Sequence, residues 1–179
     1  PKRKRRRTIC GEDLQRFLFV SDVQVSPCGS RLLMTRSHVG SQNEYLGNLW
    51  IVDTQGRRSP RQFTSGDHDS HGRWSPDGRH IALISARQKR QPQLYLMDSD
   101  GGEAQPLTRF PEGTIRSFAW SPDGRTLAVA FRETENERTE AAETERDASG
   151  ASTPPWVIDD LFYRLDGDGY FGGQRVALY

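Results

Sequence analysis

Two segments of the chain have residue types that could bind a metal ion. His68, Asp69 and His71 lie within DHDSHG and offer imidazole and carboxylate groups, which are zinc ligands. Two histidines and one aspartate at this spacing form a weak zinc pattern, so we interpret them as loop residues. Asp-Gly-Asp-Gly at 166–169 is similar to part of a calcium loop. It lacks the twelve-residue ligand pattern and the final glutamate, so we interpret it as a turn.

Catalytic motifs are missing from the sequence. It has no G-x-S-x-G nucleophile elbow, no P-loop and no H-E-x-x-H zinc motif. The sequence therefore nominates no catalytic, cofactor-binding or metal-binding residue, predicts no cofactor, and indicates that this chain by itself is not an enzyme. Its two cysteines, Cys10 and Cys28, do not suggest a disulfide framework. We expect two free thiols and a reducing compartment, the cytoplasm.

The elements that must position any site come from an internal repeat. Ten similar residues occur three times: VSPCGSRLLM from Val25, WSPDGRHIAL from Trp74 and WSPDGRTLAV from Trp120. A second element occurs twice, as LWIVDTQG from Leu49 and LYLMDSDGG from Leu94. A third occurs twice, ending at Thr64 and Thr108. A repeat of this length is typical of an array whose units bury their apolar faces against one another.

Each unit has the pattern of four short strands. Ser-Pro-Asp-Gly is typical of a hairpin turn, since proline suits the second turn position and glycine the last. The flanking apolar runs are too short for helices and indicate strands. Four antiparallel strands in such a unit describe a propeller blade. The sequence therefore predicts an all-β fold, a β-propeller of about two and a half blades with an incomplete ring.

The rhythm of the repeats sets the domain limits. We expect a basic tail and lead-in at 1–19, with a short helix near Glu12, and then blade one at 20–64 and blade two at 65–110. Blade three takes 111–179 and is cut short in its third strand, so we expect further blades after Tyr179. It contains an insertion at 133–175. Because blade insertions are loops on one face, the insertion is a candidate for the binding face.

The two halves of the insertion differ in composition. Residues 133–155 are charged and rich in Ser and Thr, so we expect them to be mobile. The half that starts at Trp156 has five aromatic residues and two Asp-Gly turns, so we expect an ordered hairpin. Trp74 and Trp120 occupy one blade position and should be core residues.

Charge and hydropathy exclude some classes of protein. The net charge is +1, and no apolar run is long enough to span a bilayer, so we expect no membrane association. Residues 2–7 are all Lys or Arg. Such a run occurs in nuclear-import or nucleic-acid-binding tails, but also as a solvated terminus. We favour the solvated terminus, and nucleic acid is not an expected partner.

These segments together resemble the N-terminal propeller of the prolyl oligopeptidase superfamily of serine peptidases. The branch is that of acylaminoacyl-peptidases and dipeptidyl-peptidases. The resemblance lies in EDLQRFLFVSDVQVSPCG from Glu12, in the paired blade elements WSPDGRHIALIS and QLYLMDSDGGEAQPLT, and in DDLFYRLDGDGYFGG from Asp159. The blade motif alone is shared with TolB and related propellers.

The resemblance implies a propeller that gates access to a catalytic α/β-hydrolase domain of the same polypeptide. The substrates would be short or N-acylated peptides, and none of the Ser, Asp and His triad lies in this chain. The implied partners are that domain and peptides, and the chain could also form a homo-oligomer. The alternatives are a TolB-like propeller scaffold without enzymatic activity and a nuclear protein that uses the basic tail.

Overall fold

The computed structural model describes residues 8–88, 91–158, 164–165, 169–170 and 174–179. Two four-stranded antiparallel sheets come first, each with its strands in chain order. The first contains β1 (Phe19–Val25), β2 (Arg31–Val39), β3 (Tyr45–Asp53) and β4 (Arg61–Gln62). The second contains β5 (Asp69–Trp74), β6 (His80–Ser85), β7 (Gln93–Asp98) and β8 (Gln105–Pro106). These sheets are blade one and blade two.

The third sheet has three described strands: β9 (Gly113–Trp120), β10 (Leu127–Glu133) and β13 (Ala177–Leu178). Their order in the sheet is β13-β10-β9. We call this sheet blade three. The strand expected at the end of the sequence is thus present, paired with β10 after the long insertion. The all-β propeller fold predicted from the repeats is confirmed by these three sheets.

The Ser-Pro-Asp-Gly turns connect the first two strands of blades two and three. In blade two, the Asp77 carboxylate accepts two hydrogen bonds. One comes from the Ser75 hydroxyl over 2.6 Å and the other from the Arg79 N–H over 3.0 Å. These bonds hold the pKa of Asp77 below its usual value. Gly78 has φ of 70°, a left-handed conformation that favours glycine. The local sequence thus determines this turn.

Two apolar clusters join the blades. One lies between blades one and two and includes Leu33, Leu49 and Tyr95. The other lies between blades two and three and includes Leu94 and Phe131. Because each cluster takes side chains from two neighbouring sheets, a blade buries its apolar face only when its neighbour is present.

The ends of the chain contain short additional elements. Gly11–Arg16 forms a 3-10 helix where the sequence indicated a short helix. The half of the insertion that starts at Trp156 contains β11 (Arg164–Leu165) and β12 (Gly169–Tyr170), which pair antiparallel, as expected of a hairpin. Within the described part of the chain, no helix has the length and apolar character needed to cross a membrane.

Candidate functional site

The insertion emerges from the face of the propeller opposite the Ser-Pro-Asp-Gly turns. In blade three that turn joins the end of β9 to the start of β10, near Ser121. The insertion begins at the other end of β10, at Glu133, and returns to β10 as β13. Since strands of a hairpin run antiparallel, the turn and the insertion lie at opposite ends of the sheet.

The first half of the insertion, which we expect to be mobile, contains a helix. A 3-10 turn at Asn136–Arg138 leads into α1 (Glu140–Ser149). The Thr139 hydroxyl caps the helix start and Gly150, with φ of 67°, ends it. No residue of α1 is buried, so capping and the helix propensity of Ala, Glu and Arg stabilise it rather than core packing. The low content of apolar residues, from which we expect mobility, carries no information about these capping residues.

The helix is tied to blade three at its N-terminus. The Glu112 carboxylate accepts the Glu140 N–H over 3.0 Å, and the Glu112 carbonyl accepts the Thr134 N–H over 2.8 Å. A carboxylate at this end of a helix is also favoured by the helix dipole. The residue just before β9 therefore fixes where the helix starts.

Arg138 joins the two halves of the insertion. Its Nε donates to the Glu135 carboxylate over 3.0 Å. Its Nη2 donates to the carbonyls of Pro154 and Pro155, over 3.2 and 3.1 Å. The guanidinium carbon lies 3.3 Å from the centre of the Trp156 ring, a cation–π contact. Arg138 is therefore engaged on three sides by neighbours in the insertion.

A cleft of about 300 Å³ lies between the end of blade three and the insertion. Three arginines and three glutamates line it: Arg132, Arg138, Arg146, Glu133, Glu135 and Glu143. Trp156 and Gln174 form further parts of its wall. The hydroxyls of Thr114, Thr134 and Thr153 also belong to the described lining, so the cleft offers charged and polar groups that can bind a polar ligand.

The charges of the cleft are partly neutralised within the protein. Glu135 is paired with Arg138, and Arg146 donates to the Glu137 carbonyl. Among the described residues, the carboxylates of Glu133 and Glu143 have no ion-pair partner or hydrogen-bond donor. The cleft can therefore accept hydrogen-bond donors such as peptide N–H groups.

The first strands of the three blades neighbour one another. Arg73 of β5 donates to the Asp22 carboxylate of β1 over 2.7 Å, and the Trp120 Nε1 of β9 donates to the Arg73 carbonyl over 3.2 Å. Asp22 and His71 both have φ of 52° at irregularities in the strand pairing. These polar groups were not predicted from the sequence, since no spacing pattern distinguishes them from ordinary strand residues.

The interpretation of His68, Asp69 and His71 as loop residues is wrong for the last two, because Asp69 and His71 lie in β5. The Asp69 side chain is fully buried, and both its oxygens accept hydrogen bonds from Arg87 over 2.9 Å. His68 and His71 are exposed. No group of three metal-binding side chains occurs among the residues that the structure describes. In the Asp-Gly-Asp-Gly segment, 166–168 lie outside the described residues, and Gly169 belongs to β12.

Cys28 takes the turn position that aspartate has in the other two blades. Cys10 and Cys28 are both exposed and are not joined by a disulfide. The Cys28 sulfur lies 3.5 Å from the Ser26 hydroxyl and 2.9 Å from the Ser30 hydroxyl. These two hydroxyls lower the pKa of the Cys28 thiol to about 7. The turn that stabilises a carboxylate elsewhere here stabilises a thiolate.

Comparison with known proteins agrees with the sheets and turns described above. A model of the TolB beta propeller domain, PD40, matches residues 20–153. The chain belongs to the TolB β-propeller family. The uncharacterized peptidase YuxL of Bacillus subtilis is 35% identical over 175 residues, which are 97% of this chain and 26% of YuxL. The Tol-Pal system protein TolB of Alcanivorax borkumensis is 31% identical over 83 residues, 46% of this chain and 19% of that protein.

A solved structure has the same fold as this TolB-type propeller. The acylaminoacyl peptidase of Pyrococcus horikoshii superposes with a TM-score of 0.69 at 19% sequence identity. The superposition covers 92% of this chain and 23% of that structure's chain. This TolB-type propeller therefore spans about a quarter of the length of YuxL and of the Pyrococcus protein.

Proposed function

We propose that this chain is the substrate-gating propeller portion of a serine exopeptidase or oligopeptidase that acts on short or N-acylated peptides. The observation that supports this most is the 35% identity with a bacterial protein named as a peptidase, over nearly the whole chain. The likeness to an acylaminoacyl peptidase structure supports the same class. In this proposal 20–64, 65–110 and 111–179 are blades, and the protein is cytoplasmic.

The chemistry belongs to another part of the polypeptide. A serine nucleophile, its histidine base and an aspartate would lie in an α/β-hydrolase domain, and a water molecule would release the acyl group from the serine. The propeller binds the peptide substrate and keeps larger proteins away from the catalytic domain. The cleft beside the insertion binds the peptide through its polar side chains, and the blades exclude folded proteins from the catalytic serine.

The experiment compares the whole polypeptide with the 179-residue chain. Both are assayed with an N-acetylated amino-acid anilide and with a free dipeptide anilide, with and without a serine-reactive phosphonate. We expect turnover only for the whole polypeptide, and we expect the phosphonate to abolish it. Turnover by the chain alone, or none by the whole polypeptide with either substrate, would contradict the proposal.

A TolB-like scaffold without enzymatic activity is the second candidate. The family match and the 31% identity to a TolB protein favour it. Such a scaffold would bind a protein partner on one face of the propeller and would have no substrate. A whole polypeptide that forms a stable complex with a protein partner and hydrolyses neither anilide would support this candidate over the peptidase.

A further inference from the structure

Arg138 is less exposed than its ion-pair partner Glu135. Its side chain is 15% exposed, although the helix that follows it has no buried residue. Its two bonds to the carbonyls of Pro154 and Pro155 reach across 16 and 17 residues of chain. One guanidinium thus connects the start of the insertion to the segment that follows the helix.

The geometry requires an arginine. A guanidinium is planar, so it can stack on the Trp156 ring while its edge donates to Glu135 and to two carbonyls. A lysine ammonium is a compact point charge and cannot stack and donate in this way. The segment 151–158 has no regular secondary structure, so contacts such as these define its position.

We propose that Arg138 is a positioning residue that latches the insertion closed beside the cleft, and that releasing it admits longer peptides. The inference rests on the proposed function for its second half only. The latch consists of Arg138, Glu135 and Trp156. Gly150, in a left-handed conformation at the helix end, is the hinge about which the following segment can move.

The lining of the cleft limits the size of the peptide that it can hold. Arg138 and Trp156 both form its wall, and the cleft measures about 300 Å³. Moving 151–156 away removes Thr153 and Trp156 from that wall, while the helix stays bonded to Glu112. Short peptides fit the closed cleft, while longer ones need the open form.

The test uses the whole polypeptide with Arg138→Lys, and Arg125→Lys as the matched control. Arg125 is exposed beside the turn between β9 and β10, at the opposite end of blade three from the insertion. The first readout is chymotrypsin cleavage after Trp156, with tryptophan fluorescence measured against a Trp156→Phe variant. Losing the stacking and hydrogen bonds should speed cleavage about tenfold for Arg138→Lys and leave the control unchanged.

The second readout is kcat/KM for a long peptide relative to a short one of the same cleavage sequence. We expect this ratio to rise for Arg138→Lys, through KM for the long peptide, and to stay constant for Arg125→Lys. Unchanged protection of Trp156 overturns the latch. Lost protection with an unchanged ratio overturns selection by length, while the peptidase proposal stands. A whole polypeptide without peptidase activity overturns the proposed function and the selection by peptide length. In that case, the rate of chymotrypsin cleavage after Trp156 still tests whether Arg138 acts as a latch.

Discussion

Replacing Gly72 with alanine should destabilise the contact between blade one and blade two. Gly72 is buried in β5, and the structure places a Cβ at this position 2.5 Å from Leu33 Cδ2 and 2.9 Å from Leu49 Cδ1. Carbon atoms in contact are normally about 3.5–4.0 Å apart, so both contacts are too short by roughly 0.6–1.5 Å. Leu33 and Leu49 are fully buried and cannot turn into solvent.

The expected loss is about 1–3 kcal/mol in the free energy of unfolding, the usual cost of adding a methyl group to a packed core. Gly72 is not among the glycines with positive φ, so alanine introduces no backbone strain to confuse the measurement. Gly11→Ala is the matched control, because nothing lies within 4 Å of its added Cβ. We expect a change below about 0.5 kcal/mol there.

The assay is urea unfolding followed by circular dichroism, with a double variant to test the cause. Leu33→Val removes the atom that the new methyl group overlaps most, so Gly72→Ala should cost less in that background than in the wild-type chain. Equal midpoints for Gly72→Ala and Gly11→Ala would refute the packing between the blades. A double variant whose loss equals the sum of the single losses would refute the overlap with Leu33.

Two further predictions concern the thiol and the tryptophans. In a Cys10→Ser background, the rate of Cys28 alkylation by iodoacetamide should reach half its maximum near pH 7, which is the pKa of the Cys28 thiol. Ser30→Ala removes a hydrogen bond that lowers this pKa, so it should shift the midpoint to higher pH. A midpoint above pH 8 with Ser30 in place would contradict the prediction. Trp120→Ala should lower the free energy of unfolding by about 3 kcal/mol, because the Trp120 ring packs between blades two and three. Trp156→Ala should lower it less, because Trp156 is more exposed. Equal urea midpoints for the two variants would show that the core is misassigned.

The blade hairpins could be predicted from the sequence because their causes are local. Ser-Pro-Asp-Gly determines a turn through the φ of proline, the left-handed glycine and a serine–aspartate hydrogen bond, all within four residues. Alternating short apolar runs around the turn then give strands. Repetition of the unit adds the propeller, because a single blade cannot bury both of its faces. Even the strand after the insertion, at Ala177, follows from this rhythm.

The helix of the insertion shows where composition misleads. In this polar, charged segment, Thr139 and Gly150 cap a helix between them. The capping residues were present in the sequence, but a count of apolar residues gives them no weight. Local hydrogen bonds and helix propensity can thus order a segment that buries almost nothing.

The sequence by itself determined the repeat, the turns, the all-β class and the absence of a nucleophile elbow, because each depends on residues close together in the chain. Only the tertiary structure decided which side chains meet. The Arg138 guanidinium stacks on the Trp156 ring, and Asp69 and Arg87 form an ion pair in which the Asp69 side chain is buried. Partners so far apart along the chain leave no periodic signal, since their contact depends on how blades and insertion pack in three dimensions.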